Sequence, residues 1–280
     1  MDEDEIINIE NVTRSYTITH GRKKERFTAL SGFSLAVRKG EFVSIVGPSG
    51  CGKSTLLDLL AGLTFPDSGE IRVAGKRVAG PALDRGFVMQ SYALFPWRTI
   101  RQNIVFGLEI KKTPRAEYNR IAGAYLELVG LEGFADRYPH ELSGGMKQRV
   151  AIARALAYEP NVLLMDEPFA AVDAQTRELL QEELLRIWNK TGKTIIFITH
   201  SIEEAVFLSS RVVVMTGNPG GVKEIIDIDS AKRKSGDVKN SPEFNWIVHK
   251  VWKSLHNVPD EEAATGSADV GDEIEPHTAL

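Results

Sequence analysis

Residues 47–54 read Gly47-Pro48-Ser49-Gly50-Cys51-Gly52-Lys53-Ser54, and they restrict this chain more than any other segment. The pattern G-x-x-x-x-G-K-[ST] demands a tight backbone curl. Glycines supply it because they enter the left-handed region without a Cβ clash. A loop curled in this way turns its N–H groups toward one point, a nest for phosphate oxygens. The flanks agree: residues 41–46 form a strand-like apolar run, and residues 55–61, beginning with Thr55, form a helical one. A helix starting at the loop adds the positive end of its dipole. In this setting Lys53 reaches β- and γ-phosphates and the Ser54 hydroxyl ligates Mg²⁺. A glycine-rich turn carrying a solvated lysine would need neither flank. The chain is therefore expected to bind a nucleoside triphosphate.

Composition narrows the class. The 280 residues are 42% hydrophobic and 26% charged, enough for a sizeable core in one large domain or two smaller ones. No apolar run reaches bilayer length, and the acidic start, Met1 to Glu5, lacks the basic and apolar regions of a signal peptide. The single cysteine, Cys51, excludes an internal disulfide and suits a reducing compartment. Its position inside the loop reads as a small tolerated residue, with sensitivity to thiol reagents as the alternative. The net charge of −4 is concentrated: residues 259–280 hold seven acids and no Lys or Arg, which leaves 34 basic against 31 acidic residues elsewhere. Such a near-neutral body has no footprint for nucleic acid, so no nucleic-acid partner is expected.

Along the chain, residues 6–16 alternate as a strand. The polar, basic stretch 19–26 reads as a solvated hairpin loop, with a membrane-surface contact as the alternative, and residues 33–37 alternate again. Residues 69–76 read as a strand and turn and 86–89 as a short strand. Residues 99–157 are mostly helical, with breaks near Pro114 and Pro139. Residues 161–165 and 194–199 are continuous apolar strands on either side of a helical pattern at 174–189. That order implies a parallel sheet covered on both faces. Ser241-Pro242-Glu243 is a helix start, followed by Phe244, Ile247, Val248, Val251, Trp252 and Leu255 on one face. This helix is expected to pack on the body, with partner binding as the alternative. The tail after Pro259 has the composition of a disordered segment.

A triphosphatase also needs a magnesium carboxylate and a group that activates water. The strand at 161–165 ends in Asp166-Glu167, which offers one of each. Further on, Leu142-Ser143-Gly144-Gly145-Met146-Lys147-Gln148 resembles the LSGGQ signature of ABC-type ATPases. Together with the loop and the paired acids, residues 5–225 resemble the nucleotide-binding subunit of ABC transporters. Tyr16 stands where that family stacks an aromatic on adenine. Gln90 matches the Q-loop glutamine, 170–173 ending in Asp173 match the D-loop, and His200 matches the switch histidine. Two departures are Met146 in place of the signature Gln and Ala-Ala-Val-Asp in place of Ser-Ala-Leu-Asp. Neither removes a charged catalytic group.

The resemblance implies an α/β fold of the P-loop NTPase, ABC type: a mainly parallel core sheet, an antiparallel β subdomain and a helical signature subdomain near 91–158. The ATPase domain would span 1–228, an extension with an amphipathic helix 229–258, and an acidic tail 259–280. It implies ATP and Mg²⁺ as cofactors. Catalysis would fall to Glu167, His200, Lys53 and Gln90, with Ser54, Gln90 and Asp166 at the metal. Nucleotide contacts would come from Tyr16, residues 47–55, Gln90 and Asp173, and from Ser143, Gly144 and Gly145 of a second copy or a paralogous subunit. Residues 89–99, with Phe95, Pro96 and Trp97, and 200–208 are similar to the nitrate/sulfonate/taurine import subfamily. There this surface docks a membrane permease, served in turn by a solute-binding protein, at the cytoplasmic face of the cell membrane. Two other classes are weighed. One is an exporter or lipid-transport ATPase. The other is a soluble ABC protein of translation or repair, which would carry two such domains or a long coiled coil.

Overall fold

A computed structural model describes residues 4–20, 23–170, 172–229 and 238–256. Its frame is a six-stranded sheet and a four-stranded sheet with helix α1 (Lys53–Ala61) between them. The larger sheet uses β3 (Phe42–Val46), β6 (Arg85–Val88), β7 (Val162–Asp166), β8 (Thr194–Ile198), β9 (Arg211–Met215) and β10 (Val222–Asp227). Their order is β10-β9-β3-β8-β7-β6, parallel throughout except for the antiparallel β10.

The apolar runs of β7 and β8 are explained by what covers each face. Leu163, Met165, Ile195 and Phe197 face the helical layer, while Val162, Leu164, Ile196 and Ile198 face α1 and the smaller sheet. Alternate side chains of a strand point to opposite faces, so burial on both sides leaves no place for polar residues. In the helical layer, α2 (Ile100–Ile104), α3 (Phe106–Ile110), α4 (Tyr118–Leu128), α5 (Gly144–Leu156) and α6 (Ala174–Thr191) share one core with that face.

The smaller sheet has the order β2-β1-β4-β5, from β1 (Glu5–His20), β2 (Lys23–Arg38), β4 (Ser68–Val73) and β5 (Lys76–Arg77). It corrects one expectation. Residues 19–20 and 23–26 of the basic stretch are strand and not loop: Ile18 pairs with Glu25, Thr19 with Lys24 and His20 with Lys23. Backbone pairing in a long hairpin needs no apolar side chains once the ladder is nucleated further in, so charge did not mark the turn.

After β8, α7 (Ile202–Leu208) leads to β9, and α8 (Pro242–His256) packs on α7, β9 and β10. Ser241 caps α8 through Oγ, which accepts the Phe244 N–H at 3.1 Å. Phe244, Ile247 and Val251 are buried, each worth about 1.5–3 kcal/mol. Trp252 departs from the expected apolar face. It is 42% exposed, lies at the stripe's margin and stacks between His249 and His256. Lys239, just before α8, ties this segment to α6 by donating to Gln181 Oε1 (3.1 Å) and Glu178 Oε1 (3.3 Å). The tail 259–280 and Ala171 lie outside the described residues. No helix among the described residues is long and apolar enough to cross a membrane.

Candidate active site

The carboxyl ends of β3, β7 and β8 converge, and each ends in one expected site segment: residues 47–54, Asp166-Glu167 and His200. Crevices at the carboxyl ends of parallel strands are where such sheets bind ligands.

The loop after β3 is built without spare room. Gly52 caps α1 at φ 98°, and a Cβ there would sit 2.7 Å from the Ala29 carbonyl oxygen of β2. Gly50 is also left-handed, at φ 76°. A Cβ on Gly47 would meet Cys51 Sγ at 2.7 Å. Lys53 is buried, and its Nζ donates to the carbonyls of Gly47 (2.8 Å) and Pro48 (3.0 Å). Ser49 is exposed at the loop's crown, while Thr55 follows Ser54 in the first turn of α1.

A residue far along the chain shapes the same loop. Gly220, which the sequence reading did not single out, donates its N–H to Ala29 (2.9 Å) and accepts from Ser31 (3.0 Å). A Cβ on it would lie 1.9 Å from the Cys51 carbonyl oxygen. Only its place in a Pro-Gly-Gly turn marked it in sequence. Gly220→Ala must therefore displace the loop. We expect a loss of stability of about 1–3 kcal/mol and roughly ten-fold weaker nucleotide binding, read by thermal melting and by titration with ATP. Unchanged affinity would show that the loop does not depend on this contact.

Cys51 is 1% exposed, and burial pushes its thiol above the ordinary value, outweighing the pull of Lys53. Since the thiolate is the reactive form, alkylation of the native protein at neutral pH should run at least about ten-fold slower than after denaturation. This supports the reading of Cys51 as a small tolerated residue. Rapid native labelling, followed with a maleimide dye, would contradict the burial.

Asp166 closes the far side of the loop. Burial, then the nearby charges of Glu167 and Asp58, raise its carboxyl above the usual range. A Ser54 hydroxyl hydrogen bond and Lys53 pull it back. Asp58 was not foreseen as part of this group. It lies four residues after Ser54 on α1 and so shares its face.

Glu167 has φ 43°, a left-handed backbone in a side chain that does not favour it. Its N–H donates to Ile198 of β8 (3.0 Å), and its carbonyl accepts from Ala170 (3.1 Å). The kink breaks the alternation of β7 and carries the carboxylate to His200, whose Nε2 lies 2.5 Å from Glu167 Oε1. The helix that follows His200 is capped by Ser201, which accepts the Glu204 N–H at 3.2 Å, leaving the imidazole free of a capping role.

The remaining expected residues lie around this centre. Gln90 is exposed, two residues beyond β6, which pairs with β7. Tyr16 is on β1 opposite Phe27, in the hairpin whose Ala29 abuts Gly52, with the Arg14 guanidinium 4.8 Å over its ring. Ser143 caps α5 by accepting the Met146 N–H at 3.3 Å, which leaves Gly144 and Gly145 in the first turn. A Cβ on Gly145 would meet Thr176 Cγ2 of α6 at 2.6 Å. Asp173 caps α6 by accepting the Thr176 N–H at 3.0 Å, and that bond holds its carboxyl below the usual range.

Comparison with known proteins places this geometry. Residues 30–170 match the family model described as ABC transporter. The chain belongs to the ABC transporter family. An uncharacterized ABC transporter ATP-binding protein of Methanocaldococcus jannaschii is 54% identical, over 89% of this chain and 94% of the relative. The nitrate import ATP-binding protein of Synechocystis is 50% identical, over 86% of this chain and 92% of the relative. A solved dimeric ATP-binding cassette, captured after hydrolysis with ADP and phosphate, superposes with a TM-score of 0.68 at 34% identity, covering 80% of this chain and 99% of that one. This ABC protein is accordingly an ATP-binding, ATP-hydrolysing subunit, and the expected P-loop fold with its parallel core is the observed one.

Proposed function

We propose that this chain powers an importer for a small anion of the nitrate, sulfonate or taurine kind. It would work as one of two cassettes beneath separate membrane subunits, at the cytoplasmic face of the cell membrane. The observation that carries the catalytic part is the Glu167–His200 pair held beside the phosphate loop by adjacent strands. The nitrate import relative supports the transport part.

In this reading the phosphate chain of ATP lies on the loop of residues 47–54. Lys53 exchanges its bonds to Gly47 and Pro48 for β- and γ-phosphate oxygens. Glu167 accepts a proton from the attacking water, and His200 holds that carboxylate and the γ-phosphate in register. Tyr16 stacks on the adenine. Ser54 and Asp166 would hold Mg²⁺ with Gln90. Ser54 and Asp166 present hard oxygen donors close enough for the Ser54 hydroxyl to draw the Asp166 carboxyl down, the donor type Mg²⁺ takes alongside phosphates and water. When bound, the ion neutralises charge on the phosphates.

The signature residues act across a dimer. Ser143, Gly144 and Gly145 begin a 13-residue helix, and its first N–H groups suit the γ-phosphate of an ATP held by the partner. Asp173, at the start of α6, lines the same junction. Trp97, 73% exposed beside Phe95, offers the permease an apolar contact, with Phe95 also packed on Phe106.

The test is capture of membrane partners by tagged Glu167→Gln with ATP, from detergent-solubilised membranes of the native host. Recovery of a permease, and anion uptake that depends on both subunits in reconstituted vesicles, is expected. Recovery of ribosomes or repair factors alone would overturn the transport assignment.

A further inference from the structure

A buried polar network lies directly behind His200. Glu204 of α7 is 7% exposed, Thr199 3% and Gln181 of α6 3%. The Thr199 hydroxyl donates to Glu204 Oε2 at 2.6 Å, and Thr199 Oγ1 itself accepts the Ser201 N–H at 3.0 Å. The Glu204 N–H in turn donates to Ser201 Oγ. The residues on both sides of His200 are thus fixed to one another and to Glu204, while the imidazole itself remains half exposed. The other oxygen of the carboxylate, Oε1, accepts from Gln181 Nε2 at 3.2 Å and lies 3.7 Å from Arg177 Nε. Arg177 donates through its NH2 group to the Val172 carbonyl at 2.9 Å, in the segment that leads to Asp173. One cleft of about 110 Å³ is lined by Glu167, His200, Thr199, Glu204 and Arg177 together.

Burying a carboxylate is costly unless its oxygens are paired. Here both are, and the partners come from the two segments that flank the γ-phosphate position. We propose that Glu204 is a positioning residue for hydrolysis: through Thr199 it sets the His200 turn, and through Arg177 it sets Val172 and with it Asp173, so the two move as one unit. This rests on the assignment of Glu167 and His200 to catalysis. Glu204 acts through the backbone on which His200 is carried. Fixed support of this kind distinguishes a site within tenths of an ångström of productive geometry from one that is merely assembled.

The experiment is a double-mutant cycle on the full chain, with kcat and KM for ATP measured separately. Glu204→Ala and the near-isosteric Thr199→Val should each lower kcat at least about ten-fold, with KM for ATP within about two-fold of the parent. Glu204→Asp should recover part of the loss. In a His200→Ala background, Glu204→Ala should cost little more, because the group it positions is already gone. A full multiplicative loss in that background would mean that Glu204 supports the fold generally and would overturn the proposal, as would parental kcat in Thr199→Val. If Glu204→Ala fails to fold, the cycle runs on Thr199→Val with the same criteria. Parental turnover in His200→Ala alone would overturn the catalytic assignment and the positioning role with it. Impaired His200→Ala beside unimpaired Glu204 and Thr199 variants would sink only the latter.

Discussion

Glu167→Gln is expected to lower ATP turnover by about 10²–10³-fold while leaving ATP bound as tightly as before or more tightly. The amide keeps the size of the carboxylate and can still accept a hydrogen bond from His200 Nε2, which lies 2.5 Å away in the parent. It cannot accept a proton from water. It also removes a negative charge from the neighbourhood of the γ-phosphate, so binding loses nothing electrostatically. In the proposed cycle hydrolysis releases the two cassettes, so the variant should accumulate as an ATP-bound dimer. Phosphate release, nucleotide titration and sedimentation with ATP together check this. Turnover at the parental rate would remove Glu167 from the chemistry. The left-handed backbone at this position, φ 43°, adds a second expectation. Local strain of roughly 1–3 kcal/mol persists only where surrounding structure enforces it, so Glu167→Gly should tolerate the fold while losing the same turnover.

Lys53→Ala should weaken ATP binding by about 10²-fold or more. A hydrogen bond to a charged group contributes roughly 1.5–3 kcal/mol, and each 1.4 kcal/mol is a factor of about ten in affinity. Two bonds to β- and γ-phosphates give the stated size. The structure adds a distinction. Lys53 Nζ also holds the Gly47 and Pro48 carbonyls, at 2.8 and 3.0 Å, so its removal loosens the loop itself. If direct contact dominates, ATP should lose more than ADP, since ADP lacks the γ-phosphate. If loop collapse dominates, both should weaken equally. Parallel titrations with the two nucleotides separate the cases, and equal losses would reassign Lys53 from ligand contact to loop support.

The parts of this site that could be read from sequence share a property: their chemistry demands a residue type at a fixed local offset. Gly52-Lys53-Ser54 must sit at a strand-to-helix turn, and Asp166-Glu167 must follow a buried strand. Ser143 and Asp173 are marked by the family resemblance, through the signature and the D-loop; the structure adds that each caps a helix through its side-chain oxygen. Where the sequence misled, a long-range term prevailed over a local one. The basic stretch 19–26 looked like a solvated turn, but β1 and β2 pair to their ends. Trp252 looked apolar and inward, yet its angle on α8 leaves it stacked on histidines at the surface.

Local pattern alone determined the loop, the paired acids, the parallel strand runs and the family, because each is written in neighbouring residues. Tertiary structure alone decided that Gly220 presses on the Cys51 carbonyl across 169 positions of chain, and that Glu204 reaches Thr199, Gln181 and Arg177 together. Strand order sets those contacts: β9 lies beside β3, and α7 folds back over the start of α6. A glycine that exists to leave room for another segment's backbone, or a glutamate that exists to be paired from two separate segments, has no local signature, because the atoms that explain it arrive only when the chain has folded.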